Sequence, residues 1–256
     1  ICIDCIFNSG IQADVYIVDN SPDEELKDLV LAKRCIYIHN PSNPGYGAGH
    51  NIAIKNAIQQ GVDYHLVINA DVSFPTDALG KMIAFMEENP HIGQLMPMVI
   101  NPDGTVQRLC KLVPTPFDLF IRRFLPASIN THLRRQFELW ESGYNKVMFV
   151  PYLSGCFMFL RCTALKEVGL FDERFFMYPE DIDLTRRMAL KYDTVFFPNV
   201  TVTHEHGAAS YKSLRMLWVH AHNLIKYFNK WGWFFDKKRV LINKKTIEEI
   251  NQIKLR

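Results

Sequence analysis

Three strand-like stretches end in side chains that hold cations or move protons. Leu66-Val67-Ile68 is a short apolar run that stops abruptly at Asn69-Ala70-Asp71. Val15-Tyr16-Ile17-Val18 stops at Asp19-Asn20-Ser21, and Val200 to Thr203 stops at His204-Glu205-His206-Gly207. Open α/β sheets bind ligands at the carboxyl ends of their parallel strands, so tips on one edge of such a sheet converge. An aspartate with one or two histidines there can hold a divalent cation. Sites completed by a diphosphate suit Mg²⁺ or Mn²⁺. Each tip also has a plainer reading: an Asx turn for Asn69–Asp71, and a packed or surface imidazole for each histidine.

A fourth group is acidic. Tyr178-Pro179-Glu180-Asp181-Ile182-Asp183-Leu184 packs three acids into a predicted helix start, where they suit the helix dipole. The preceding Phe175-Phe176-Met177-Tyr178 supplies apolar walls, and a carboxyl beside such walls has a raised pKa suited to a general base. Asn43-Pro44-Gly45-Tyr46-Gly47-Ala48-Gly49-His50-Asn51 is glycine-rich and precedes a helix, which would let a ligand approach the backbone closely. It has neither the dinucleotide-binding glycine spacing nor the lysine of a P-loop.

The elements that must position these groups alternate up to residue 100. Helices are predicted over Ile1–Asn8, from Pro22, from about His50 to Gln60 and over Pro75–Asn89, with strands between them and at Gln94–Ile100. That alternation predicts a mostly parallel sheet. Asn101-Pro102-Asp103-Gly104 is a turn, with Thr105-Val106-Gln107 returning as a hairpin arm. Pro114 to Tyr144 reads as helical or irregular. Strands follow at Val147–Val150, Tyr152–Leu160, Thr194–Phe197 and Val200–Thr203, with a helix from Pro179 to Leu190. Ser210 to Lys230 reads as a long helix, and the tail beyond Gly232 as helical.

With 256 residues, 48% hydrophobic and 22% charged, the chain can bury one sizeable core, which excludes wholesale disorder. The net charge of +2 hides an asymmetry: from Tyr211 onward eleven bases face three acids, a balance of +8 against −6 for residues 1–210. In this tail Tyr227, Phe228, Trp231, Trp233, Phe234 and Phe235 interleave with Lys226, Lys230, Lys237, Lys238 and Arg239. That pattern suits an anionic membrane surface, a helix packed on the body with a solvated basic face, or nucleic acid. The six cysteines are scattered, and Cys2 and Cys5 lack a second pair for zinc. They read as reduced, mostly buried thiols of a cytoplasmic protein. No apolar run reaches transmembrane length.

In this order, these motifs resemble family 2 glycosyltransferases of the GT-A fold, and most closely the bacterial rhamnosyltransferase-like branch. The resemblance rests on Val18-Asp19-Asn20-Ser21, the Asn43–Asn51 loop, Asn69-Ala70-Asp71, Asn101-Pro102-Asp103-Gly104 and Ser154-Gly155-Cys156. It continues through Gly169-Leu170-Phe171-Asp172-Glu173-Arg174-Phe175-Phe176-Met177-Tyr178, Glu180–Leu184 and His204-Glu205-His206-Gly207.

The resemblance implies a Rossmann-like, mostly parallel central sheet flanked by helices over residues 1–210, with a helical extension over 211–256. The family opens with a strand, whereas this chain begins in the following helix, so the first strand of the fold is expected to be missing. Asp19 would bind the base or ribose of a dTDP- or UDP-linked sugar, with Asn20, Gly45, Asn51, Asn69, Ser154 and Gly155 also on the nucleotide sugar. Asn69-Ala70-Asp71 stands where the family has D-x-D, with Asn69 replacing the first acid. Asp71 and His204, with His206 in reserve, would bind Mg²⁺ or Mn²⁺. Asp181 would be the catalytic base, with Glu180 as alternative or acceptor contact.

The implied activity is inverting transfer of a sugar, with rhamnose a candidate, to a surface polysaccharide or lipid-linked glycan. The implied location is cytoplasmic, peripheral on the inner face of the cell membrane through 211–256, with no nucleic acid as partner. The rival expectations are a sugar nucleotidyltransferase and an inactive, truncated chain that only binds glycan or a partner.

Overall fold

A computed structural model describes residues 1–121, 126–205 and 214–254. In chain order the elements are α1 (Cys2–Asn8), β1 (Tyr16–Asp19), α2 (Lys27–Ala32), β2 (Ile36–His39), α3 (Tyr46–Gln60), β3 (Tyr64–Ile68), β4 (Val72–Ser73), α4 (Ala78–Glu88) and β5 (Ile92–Ile100). Then come β6 (Cys110–Lys111), α5 (Ala127–Phe137), β7 (Met148–Phe149), β8 (Tyr152–Leu153), β9 (Phe157–Arg161) and α6 (Cys162–Val168). The last are α7 (Pro179–Ala189), β10 (Asp193–His204), α8 (Leu214–Trp231) and α9 (Lys237–Lys254).

Among the described residues the main sheet has six strands in the order β3-β9-β5-β10-β4, with β7 also on β10. Apolar runs explain its centre: almost every residue of β5 is buried, and α4 covers it with Leu79, Met82 and Met86. Strands buried on both faces read as continuous hydrophobic runs, and such a run carries no signal of direction.

Direction is where the sheet departs from expectation. β10 runs parallel to β5, but β9 lies antiparallel to both β3 and β5, and β4 and β7 are antiparallel to β10. The sheet is therefore mixed rather than mostly parallel, although β3, β5 and β10 share one direction. The strands expected at Thr194–Phe197 and Val200–Thr203 are one strand, whose pairing with β5 shifts between Phe197 and Thr201. Pro198 falls in that irregularity, where a residue without an N–H is tolerated.

The sheet is also divided. β1 and β2 pair in parallel as a separate two-stranded sheet. α3 contacts both β1 and β3 and so spans the two sheets.

The C-terminal helices are integral to the packing. Tyr227 and Phe228 of α8 are fully buried with Phe175 and Ile182. Arg186 of α7, itself inaccessible, donates to both carboxylate oxygens of Asp236 at 2.6 Å and lies 3.9 Å from the centre of the Trp231 ring. From α9, Asn243 bonds the backbone of Val113, and Glu249 accepts the N–H of Phe149. All six cysteines are free, and five of them are buried. Among the described residues no helix is long and apolar enough to cross a membrane.

Candidate active site

The tips of β3 and β10 meet. Asp71 Oδ1 lies 3.3 Å from His204 Nε2, and Asn69 Nδ2 lies 3.4 Å from the same nitrogen. The antiparallel pairing of β4 with β10 sets this meeting, because Val72 stands opposite His204, and the Glu205 N–H donates to the Asp71 carbonyl. His204 is 4% exposed while the Asp71 carboxylate is open to solvent, so the imidazole is fixed and the acid is accessible.

On the far side of the ring, Gln107 Oε1 lies 3.0 Å from His204 Nδ1. An imidazole and a carboxylate facing each other offer one nitrogen and one oxygen ligand. That pair fits a hard divalent cation whose other positions come from phosphate oxygens and water. Among the described residues no cluster of three or more His, Cys, Asp or Glu forms a metal-sized site. His206 lies outside the described residues.

The second centre is the start of α7. Asp181 Oδ2 accepts the Gly155 N–H at 2.9 Å and Oδ1 accepts the Ile182 N–H at 2.7 Å. Burial nevertheless pushes its pKa up to about 6, against the opposing pull of these backbone donors and of Lys111. Glu180 is 4% exposed, its Oε2 has no hydrogen-bond partner among the described residues, and burial together with the Asp181 charge holds its pKa well above the usual carboxylate range.

The aromatic run before these acids fixes them from four directions. Phe175 is buried in the α7–α8 cluster, and the Phe176 carbonyl accepts the Tyr46 N–H at 2.9 Å. The Met177 carbonyl accepts from Asn223 at 3.1 Å, and the Tyr178 ring sits 4.3 Å from that of His220. Tyr178 takes φ +92°, an uncommon conformation for a bulky side chain, immediately before Pro179 starts the helix.

One residue that sequence reasoning missed joins the two centres. The Tyr46 hydroxyl lies 2.8 Å from the Gly155 carbonyl, to which it donates, and 3.2 Å from Asn69 Oδ1. The Cys156 carbonyl in turn accepts the Asn69 N–H at 3.0 Å. A continuous path of polar contacts therefore runs from Asp181 through Gly155, Tyr46 and Asn69 to His204 and Asp71. Ser154 is half-buried beside this path.

Asp19 sits apart, at the end of β1. Its oxygens accept from the Ser21 N–H at 2.9 Å and the Tyr37 hydroxyl at 2.8 Å, and the Ser21 and Tyr37 hydrogen bonds lower its pKa. Asn20 is held by Asn40 at 2.7 Å and lies against Gly49 of α3. α3 thus carries Gly49 toward the Asp19 tip and Tyr46 toward the Asp71 tip.

Two residues expected on the nucleotide sugar, Gly45 and Asn51, make close contacts within the protein. α3 begins at Tyr46 rather than His50, and its glycines make room for protein. A Cβ at Gly45, where φ is +112°, would overlap the Phe176 backbone, and one at Gly47 would press on the Phe171 ring. Asn51 is 1% exposed: its amide donates to Phe171 O and Glu173 Oε1 at 2.9 Å, and its oxygen accepts the Phe171 N–H at 3.0 Å. It staples the segment leading to Asp181, and its side-chain hydrogens are spent there.

A family model described as glycosyl transferase family 2 matches residues 1–169. An N-acetylglucosaminyl-diphospho-decaprenol L-rhamnosyltransferase of Mycobacterium tuberculosis is 28% identical over 178 residues, 64% of this chain and 56% of the relative. The chain therefore spans little more than half the length of that relative. The rhamnosyltransferase WbbL of Escherichia coli is 26% identical over 208 residues, 78% of this chain and 73% of the relative. Among solved structures, a Pyrobaculum calidifontis mannosyltransferase in complex with GDP-Man and Mn²⁺ superposes with a TM-score of 0.55 at 15% identity, covering 89% of this chain and 58% of that one. That likeness shows the fold, a GT-A arrangement of a mixed sheet flanked by helices.

Proposed function

The chain belongs to glycosyl transferase family 2, and from that premise we propose that it carries the donor-binding and catalytic part of an inverting, cation-dependent hexosyltransferase. The donor is a dTDP- or UDP-linked sugar, with rhamnose the first candidate, and the acceptor a growing or lipid-linked surface glycan. The names of the two rhamnosyltransferase relatives support the choice of sugar, and the M. tuberculosis name supports a diphospho-lipid acceptor. The observation that carries the reading is the polar path from Asp181 to Asp71. It joins the buried Asp181 carboxylate to the Asp71–His204 pair, in which the imidazole is buried and the carboxylate open to solvent.

In this reading Asp71 and His204 hold Mg²⁺ or Mn²⁺. When bound, the cation neutralises charge on the donor diphosphate as it leaves. Asp19 and Asn20 contact the nucleoside, while Asn69, Ser154 and Gly155 border the sugar. Asp181, ionised above about pH 6, takes the proton of an acceptor hydroxyl. That oxygen attacks the anomeric carbon from the face opposite the leaving diphosphate, and the configuration inverts. Glu180, whose burial favours the neutral form, contacts the acceptor beside it.

General-base assistance of this kind is worth roughly 10²–10⁴ in rate. Asp181→Asn is therefore expected to lose that factor in turnover while isothermal calorimetry still detects dTDP or UDP. Turnover within a few-fold of the parent would remove Asp181 as base.

We assign the catalytic chemistry to residues 1–210 and a bracing and docking role to 211–256. Phe234 and Phe235 at the α8–α9 corner are 78% and 99% exposed, beside exposed Lys237, Lys238, Val240 and Leu241. Aromatics and lysines side by side suit the headgroup region of an anionic bilayer, where a lipid-linked acceptor would be met on the cytoplasmic face. Sedimentation with phosphatidylglycerol vesicles is expected to capture the protein and to fail for Phe234→Ser/Phe235→Ser; equal capture of both would discard the membrane contact.

A further inference from the structure

Gln107 stands in the return arm of the turn that follows β5. The turn is built by the Asn101 N–H on Thr105 O at 2.8 Å and the Gly104 N–H on Asn101 O at 2.9 Å, and the Gln107 N–H then bonds Val99 O at 2.9 Å. β5 and β10 are paired up to Ile100 and Thr203, so this arm comes to rest beside His204.

The side chain of Gln107 is oriented without ambiguity. Its Nε2 lies 2.8 Å from the backbone carbonyl of His204, which can only accept. A second acceptor, Asn101 Oδ1, lies 2.7 Å away. Nε2 is therefore the donor, which leaves Oε1 facing His204 Nδ1 at 3.0 Å. An amide oxygen has no hydrogen to give, so Nδ1 must carry the proton. In the neutral ring, Nε2 then keeps its lone pair, with the Asn69 amide Nδ2 3.4 Å away to donate to it and Asp71 Oδ1 beside it at 3.3 Å.

We infer that Gln107 is a positioning residue that fixes the tautomer and orientation of His204 for cation binding with Asp71. The inference rests on the cation reading above and adds a residue to it. The type of contact is general: imidazoles that ligate metals donate their other N–H to an oxygen acceptor, and loss of that acceptor weakens binding about ten- to a hundredfold.

Two measurements test it. In ¹⁵N-labelled, metal-free protein at a pH where the ring is neutral, the His204 nitrogens (assigned by their loss in His204→Ala) are expected to show protonated Nδ1 and bare Nε2. The opposite tautomer in the parent protein overturns the inference without any variant at Gln107. Mn²⁺ binding is then followed by electron paramagnetic resonance with UDP or dTDP present.

Gln107→Leu is expected to weaken Mn²⁺ binding about ten- to a hundredfold. Gln107→Glu, which loses the same Nε2 donor but keeps an oxygen on Nδ1, is expected to recover to within a few-fold of the parent. If both variants weaken binding alike, Gln107 matters only to the hairpin and its role at His204 is overturned. Unchanged binding in Gln107→Leu also overturns that role. A parent protein that takes up no Mn²⁺ beside either nucleotide instead sinks the cation reading, and Gln107's part with it.

Discussion

Helix α7 holds two pairs of buried acids within its own length or against it, and they are treated in opposite ways. Glu180 and Asp181, at its first turn, are buried with no salt bridge among the described residues: Asp181 leans on backbone N–H groups and one oxygen of Glu180 has no hydrogen-bond partner among them. Half a turn further on, Asp183 is met by Arg187 at 2.8 Å, Lys230 at 2.6 Å and the Trp231 N–H at 2.8 Å. Asp236 is gripped by Arg186. A buried charge is costly unless it is paired, so the paired acids fasten helices together. The unpaired ones keep raised proton affinities, the condition a general base requires.

The contrast predicts a separation of effects. Asp236→Ala leaves the guanidinium of Arg186 buried without its carboxylate, and removing one partner of such a pair costs about 3–5 kcal/mol. Urea unfolding should show a loss of that size. A loss under 1 kcal/mol, the level of a surface pair, would mean the pair is not buried in solution. Lys230→Met withdraws a cation shared by Asp172 and Asp183. Hydrogen bonds to charged groups are worth about 1.5–3 kcal/mol, and the same measurement should register a loss in that range.

The smallest effect is expected at the unpaired site, with the opposite sign. The folded pKa of Asp181, about 6, lies above its ordinary value of 3.8. Between those values the folded state binds the extra proton, so stability from this group falls as pH rises from about 4 to about 6. Asp181→Asn should therefore match or slightly exceed the parent's melting temperature at pH 7–8 and fall behind toward pH 4. Its thermal midpoint dropping several degrees at pH 8 would contradict the burial cost assigned to this acid. In the parent, transfer should weaken as pH falls through about 6. Asp172, held low chiefly by Arg174 and also by Lys230, contributes in the other direction: its stabilisation is present above the ordinary carboxylate range and is lost in acid.

What the sequence disclosed divides along the same physical line. Strand tips are legible because an apolar run ending in Asn, Asp or His is a local pattern, and the tips carrying Asp71 and His204, which the fold brings together, stand out that way. The acids of α7 were legible from their aromatic approach. Partners defined only by folding were not. Tyr46 reaches Gly155 across 109 residues and Gln107 reaches His204 across 97, and neither lies at the end of an apolar run. The glycines are ambiguous for a related reason. Close approach by a ligand and close approach by Phe176 leave the same residue in the sequence. The antiparallel course of β9 was hidden because Phe157–Leu160 is buried whichever way it runs.

The division of the sheet has a consequence for how the molecule breathes. A two-stranded sheet by itself is marginal in water, whereas interior strands such as β5 and β10 open only with the whole domain. β1 and β2, which share no hydrogen-bonded ladder with the main sheet, form the cheaper unit to open. Backbone amides of Tyr16–Asp19 should then exchange with deuterium through local opening, while those of β5 wait for global unfolding. The donor nucleoside assigned to Asp19 would bind on the half of the cleft that opens first, so its arrival should register as slowed exchange in β1 before anything changes in β5.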